Sequence, residues 1–164
     1  MKDYNIQMPG KVQIGKNKSE ELANIIKENN MNEVLIVVDK SLIKLGLTKD
    51  ILGSLDSFDI NYEIFSKING EPTVEEVDQA ITDLDVEQRF DVVVGIGGGS
   101  TLDVAKLLAV SEAIEDTVKN YFTEEIKQPG LSTIMIPTTA GTGSEATPNS
   151  ILKDEVESNK KGIV

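Results

Sequence analysis

The sequence predicts an α/β protein, an open and mostly parallel sheet with helices on both faces, Rossmann-like in plan. Three observations carry that prediction. Short apolar runs rich in Val and Ile alternate with amphipathic stretches four or five times along the chain, the order that gives a helix-covered parallel sheet. One run, Val92, Val93, Val94 and Ile96, breaks into Gly95, Gly97, Gly98 and Gly99, and Ser100 then opens an apolar helical pattern. A strand, a loop of bare amides and the positive end of a helix dipole together make a site for phosphate, and a diphosphate is its natural occupant. Finally, the 164 residues, 39% hydrophobic and 27% charged, suffice for one globular domain with a real core.

Taken in order, residues 11–15 alternate apolar and polar and read as a short strand. Residues 19–30 follow as an amphipathic helix, with Glu20 and Glu21 in the first turn and Leu22, Ile25 and Ile26 on one side. Residues 34–39 form a buried-type strand that ends on a carboxylate, Asp39. Helical periodicity over 41–57 is interrupted at Gly46 and Gly53, and 62–65 alternate as a third strand. After a turn at 69–72, Thr73 and Glu76 make a capping box for a helix running to about Gln88.

The glycine-loop strand comes next. Its helix is expected to run from Ser100 to about Ala113, with Asp103 as a capping-box-like partner of Ser100. Residues 115–130 hold a shorter helical piece and the turn Gln128, Pro129, Gly130. Another buried strand at 132–137 runs into 138–145, a stretch of small hydroxyl residues and glycines. A strand-like piece at 150–152, an acidic turn and a final Lys160, Lys161, Gly162, Ile163, Val164 complete the chain. No repeat or linker divides it, so 1–164 is expected to be a single domain.

Composition narrows the function. The absence of cysteine excludes a disulfide framework and a thiolate metal site. A net charge of −12 opposes nucleic-acid binding, which rests on basic patches, but not the binding of a nucleotide held by local amides. Without histidine, no imidazole can serve as ligand, base or proton shuttle. No apolar run approaches a membrane span, and Met1 to Asn5 lack a signal-peptide core, so a soluble cytoplasmic protein is expected.

In an open α/β sheet, ligands bind beyond the carboxyl ends of the strands. Asp39, the 95–100 loop and the 138–145 loop are expected to converge there. Asp39 suits a ribose diol and would repel a 2′-phosphate, favouring NAD over NADP, though alone it reads equally well as a strand-end cap. Thr138, Thr139 and Thr142 offer hydroxyls, with Gly141 and Gly143 permitting close backbone approach. Asp103 and Lys106 are either an i,i+3 ion pair or, in the case of Lys106, a source of positive charge near the phosphates. Gly95 and Gly97 fit the usual dinucleotide fingerprint, but Ser100 holds its third glycine position. The loop also follows a middle strand, and the candidate ribose acid precedes it.

Residues 95–106 resemble the signature GGGSxxDxAK of the iron-containing (group III) alcohol dehydrogenases, and 136–147 resemble that family's second signature. Val38, Asp39 and Lys40 match its strand-end acid, and Glu71, Pro72 and Thr73 its short turn before a helix, although Glu71 stands where many members carry Asn. The resemblance implies an NAD(P)-binding domain followed by an all-helical domain that carries iron or zinc. It assigns Asp39 to the adenosine ribose and Gly97, Gly98, Gly99 and Ser100 to the pyrophosphate. Thr138, Thr139 and Thr142 would line the nucleotide, with Ile151 near the nicotinamide and Lys160 within reach of a ribose.

The family's metal is held by an aspartate and histidines of the helical domain, which this sequence lacks, so no metal ligand and no catalytic residue is assigned. The apolar ending reads as a truncation. The expected function is therefore that of the nucleotide domain of an NAD-linked, metal-dependent alcohol dehydrogenase acting on a small alcohol or aldehyde, inactive by itself. A homo-oligomer could form through an apolar face left uncovered. Two alternatives are a free-standing nucleotide-binding or regulatory module, and a domain like those of dehydroquinate synthase or glycerol dehydrogenase.

Overall fold

In the computed structural model, residues 10–68 and 70–164 are described. The N-terminal reading at Met1 to Asn5 and the Asn69 position of the predicted turn lie outside them.

Four strands form the main sheet: β1 (Glu33–Val38), β2 (Asn61–Phe65), β3 (Val92–Gly97) and β4 (Ser132–Pro137). All are parallel, in the order β2-β1-β3-β4. Helices α1 (Leu22–Glu28), α2 (Lys40–Lys44), α3 (Lys49–Ser57), α4 (Val74–Leu84), α5 (Val86–Arg89) and α6 (Gly99–Ala109) connect them. An antiparallel hairpin, β5 (Ser150–Asp154) and β6 (Asn159–Ile163), follows as a separate small sheet.

Side-chain alternation along the central strands divides the core in two. From β1, Val34, Ile36 and Val38 join Leu22, Ile26, Ile51 and Leu55 on the α1/α3 side. Leu35 and Val37, with Val93 of β3, pack on the other side against α4, α6, Leu152 and Ile163. Both layers bury the central strands, which is why β1 and β3 read as continuous apolar runs.

Several local expectations are met. Thr73 Oγ1 accepts the Glu76 amide and Glu76 Oε2 accepts the Thr73 amide, each at 3.1 Å, so the capping box is reciprocal. It opens α4, which stops at Leu84 and not near Gln88, because Asp85 adopts a left-handed conformation that separates α5. The terminal stretch beginning at Lys160 belongs to a hairpin strand.

Other expectations are corrected. Residues 11–15 form no strand with any described residue: Val12 and Ile14 are exposed, and alternation alone cannot make a strand without a backbone partner. The β4 strand is only partly covered, because it is the edge of the sheet with β3 on one side. Helix α6 ends at Ala109, and a separate 3₁₀ turn covers Ser111–Ala113.

The capping-box reading of Ser100 and Asp103 also fails. Gly98 is the N-cap of α6 and makes no side-chain cap bond, while Asp103 turns inward.

Candidate functional site

The strand order reverses direction between β1 and β3, which leave the sheet toward opposite sides and open a crevice at their carboxyl ends. Backbone bonds stitch that edge together. The Asp39 amide donates to the Ile96 carbonyl at 3.2 Å, and the Thr138 amide donates to the Gly97 carbonyl at 2.9 Å. The three stretches expected to converge there, Asp39, the glycine loop and the 138–145 loop, do so.

The glycines have distinct jobs. Gly95 and Gly97 share a face of β3 with Val93 and look toward α6. A Cβ on Gly95 would lie 2.9–3.0 Å from Met135, Ala105 and Leu102, and one on Gly97 would lie 2.7 Å from Thr101. These two glycines therefore let the helix seat on the strand. Gly98 and Gly99 lie at the helix entrance, covered by Thr139 and Thr142, whose side chains would stand 3.3 Å from an added Cβ. The glycine loop uses ordinary backbone angles: the left-handed glycines lie elsewhere, and Gly141 and Gly143 are the two in the threonine loop.

Asp39 is the N-cap of α2 and half-buried. Its Oδ1 accepts both the Ser41 hydroxyl (2.7 Å) and the Ser41 amide (2.8 Å), and these bonds hold its carboxyl below the ordinary carboxylate range. Both bonds use the same oxygen, so the strand-end cap and the ribose acceptor are compatible roles for one residue.

Beside the N-terminus of α6 is a cavity of about 440 Å³. Gly99 and Ser100 line it, with Thr142 and Ser144 from the threonine loop, Ile151 from β5 and Lys160 from β6. Glu71 and Pro72 close it from the loop before α4. The structure thus brings Gly99, Ser100, Thr142, Ile151 and Lys160 around one space. Gly97 and Gly98 lie directly behind that group, with Thr138 and Thr139 on the adjoining strand end, and Asp39 stands at the neighbouring strand end toward β1.

Lys106 does not face this cavity. Its ammonium sits 3.0 Å from Asp103 Oδ1 and donates to the carbonyls of Ser144 (3.1 Å), Thr147 (3.2 Å) and Asn149. Its three N–H donors are consumed, which decides for the ion pair. Asp103, 6% exposed, also accepts the Ser144 hydroxyl at 2.6 Å and the Ile151 amide at 3.1 Å. The pair therefore fixes loop 144–151 and the start of β5, the wall carrying Ile151. The buried Ser150 hydroxyl adds a bond to the Asp103 carbonyl at 3.0 Å. Neither serine was legible in the sequence, because nothing local ties Ser144 or Ser150 to a helix more than 40 residues earlier.

Among the described residues, no helix is long and apolar enough to cross a membrane. No group of three or more His, Cys, Asp or Glu among them is arranged to hold a metal ion.

Comparison with known proteins gives this geometry its lineage. A sulfoacetaldehyde reductase of Bilophila wadsworthia is 36% identical over 146 residues, covering 88% of this chain and 38% of that protein. The solved structure of an NADH-dependent butanol dehydrogenase A from Thermotoga maritima superimposes with a TM-score of 0.87 at 25% identity, over 99% of this chain and 41% of that one. A sulfoacetaldehyde reductase from Bifidobacterium kashiwanohense, solved in complex with NAD+, gives 0.87 at 27% identity, over 100% of this chain and 43% of that one. The chain thus spans about two fifths of the length of the relatives it matches, within their α/β part. Residues 9–164 fit the family model described as iron-containing alcohol dehydrogenase, and the chain belongs to that oxidoreductase family.

Proposed function

We propose that residues 1–164 form the nucleotide-binding domain of an NAD-linked, metal-dependent dehydrogenase that moves hydride between a small alcohol or aldehyde and nicotinamide. The observation that carries the reading is the 440 Å³ cavity at the entrance of α6, lined by Gly99, Ser100, Thr142, Ile151 and Lys160. The residues present fit a dinucleotide: small glycines at the helix entrance, threonines over them, and at the adjoining strand end a carboxylate whose two bonds to Ser41 fall on one oxygen.

In this reading the first amides of α6, at Gly99 and Ser100, bind the pyrophosphate, helped by the helix dipole. Gly97 and Gly98 let those amides be approached. Asp39 accepts from the adenosine ribose, and its charge disfavours a 2′-phosphate, so NAD is the preferred cofactor over NADP. Thr138, Thr139 and Thr142 line the nucleotide, Ile151 packs at the nicotinamide end, and Lys160 donates to a ribose hydroxyl. When bound, NAD supplies a hydride acceptor at C4 of its nicotinamide. The chain's own part is to hold that ring against the wall fixed by Asp103 and Lys106.

The residues present do not fit the divalent metal that the family implies. The sequence has no histidine, and the described residues offer no ligand cluster. No step is derived through a metal, and the chain by itself is proposed to oxidise no alcohol. A cytoplasmic location belongs to the same reading. The test is calorimetric titration with NAD and NADP beside an assay of alcohol-dependent NADH formation. Tighter binding of NAD and no NADH formation are expected; absence of NAD binding by the folded chain would overturn the reading.

A further inference from the structure

The rim of the 440 Å³ cavity carries an ion pair that the fold does not need. Lys160 Nζ pairs with Glu71 Oε1, 89 residues away in the sequence, and the two side chains are 58% and 55% exposed. Pairs this open to water contribute little to stability. Docking of the β5–β6 hairpin on the 71–73 segment is secured by backbone instead. The Lys153 amide donates to the Pro72 carbonyl at 2.9 Å, and Thr73 forms a parallel bridge with Lys153.

What the pair does change is the charge that an incoming anion meets. Two lysines line the cavity. Lys153 lies loosely, at 3.9 Å, beside Glu155, whereas Lys160 is directly engaged by Glu71. Asp103, the other acid in the lining, is already matched by Lys106. Glu71 is therefore the acid whose charge faces the rim together with the one lysine it occupies.

We propose that Glu71 is an affinity-setting residue for a pyrophosphate dinucleotide, a built-in carboxylate that competes with the ligand for Lys160. The inference rests on the dinucleotide reading given above. In this proposal Lys160 turns from Glu71 toward the ligand, so part of the attraction between ammonium and ligand goes into loosening the internal pair. The same carboxylate also repels the pyrophosphate through space, a weaker effect at this exposure.

Titrations of NAD into the wild-type chain, Glu71→Gln, Lys160→Met and the double variant decide the matter. Gln keeps the shape of Glu and removes the charge. Glu71→Gln is expected to bind NAD about two- to fivefold more tightly at low ionic strength. The gain should shrink in high salt and vanish in the Lys160→Met background. Thermal unfolding of Glu71→Gln should match wild type. A variant that binds no tighter than wild type, or a gain that survives intact without Lys160, overturns the role of Glu71 while leaving the dinucleotide reading in place. Failure of wild type and all variants to bind NAD overturns both.

Discussion

Ser144 donates its hydroxyl to Asp103 Oδ1 at 2.6 Å, joining two buried residues that are 41 positions apart in the sequence. The other oxygen of that carboxylate takes the Ile151 amide, and Lys106 balances its charge. Removing the acid would strand a lysine whose side chain is only 13% exposed. Asp103→Ala is therefore expected to destabilise the chain by roughly 3–5 kcal/mol, and Ser144→Ala by roughly 1.5–3 kcal/mol. Urea unfolding measures both; equal, negligible losses would show that the clasp carries no load.

Two neighbouring glycines should respond in opposite ways. A Cβ at Gly97 meets Thr101 at 2.7 Å, with the neighbour fixed on α6, whereas at Gly98 it meets Thr139 at 3.3 Å. Gly97→Ala should lose about 1–3 kcal/mol, and Gly98→Ala should fold with near wild-type stability. Gly98→Val, with branches reaching into the helix entrance, should keep the fold but abolish NAD binding. Unfolding curves and NAD titrations of the three variants separate packing from ligand approach.

Gly130 offers a sharper case. The Leu131 amide donates to the Ala109 carbonyl at 2.8 Å, and a Cβ on Gly130 would fall 2.0 Å from that same oxygen. Backbone must move to admit it. Gly130→Ala should lose about 3 kcal/mol or more by thermal unfolding, a loss at the upper end for one added methyl group.

Asp39→Gly should narrow the preference for NAD over NADP by removing the charge opposed to a 2′-phosphate. The change should come mainly from better NADP binding, with some loss of NAD binding as the ribose acceptor goes. Paired titrations read the two effects separately. An unchanged ratio would leave Asp39 with only its capping role toward Ser41.

Asp91 gives a prediction in pH. Its Oδ2 accepts the amides of Asn32 (2.8 Å) and Glu33 (3.0 Å), and these bonds, Asn32's the larger, hold its carboxyl below the ordinary value of 3.8. A lowered folded-state pKa means stability fully present above about pH 4 and lost as pH falls through the folded value. Asp91 is exposed, so solvent screening keeps the effect small, on the order of 1 kcal/mol. Wild type should exceed Asp91→Ala in urea stability by that amount at neutral pH. The difference should shrink toward pH 2.

Much of this architecture could be read from the chain itself. The strands at β1, β3 and β4 announced themselves as apolar β-branched runs, and Thr73 with Glu76 signalled the start of α4. The failures share a cause: they depend on partners far away in sequence. Val12 and Ile14 alternate like a strand but have no pairing neighbour among the described residues, and β4 reads as buried although it lies at the sheet edge. The spacing of Ser100 and Asp103 suits a capping box, yet tertiary bonds to Ser144 and Ile151 claim the carboxylate. Gly95 and Gly97 stood out as part of an anion loop, and the structure adds a packing reason that the sequence did not show, the seating of α6 on β3. That Gly99, Ser100, Thr142, Ile151 and Lys160 would come together was anticipated from the family resemblance carried by residues 95–106 and 136–147, and the structure places all five around one cavity.

The β5–β6 hairpin is attached to the body by Leu152 and Ile163 in the core and by polar bonds to Asp103 and Pro72, with Lys106 holding Asn149 just before it. These polar partners stand in their working positions only after α6 and the segment before α4 have been placed. Among the described residues its two strands form a ladder with each other and touch the body by one isolated bridge, Thr73 with Lys153. Leu152 and Ile163 anchor it, yet without a ladder to the central sheet the hairpin is expected to open before β1 and β3. Its amides should exchange with solvent hydrogen through a local excursion that leaves β1 and β3 intact, at lower free energy than the central strands. A wall of the cavity would thus be built from a low-protection unit, and a ligand that bridges the α6 entrance and the hairpin would slow exchange there first.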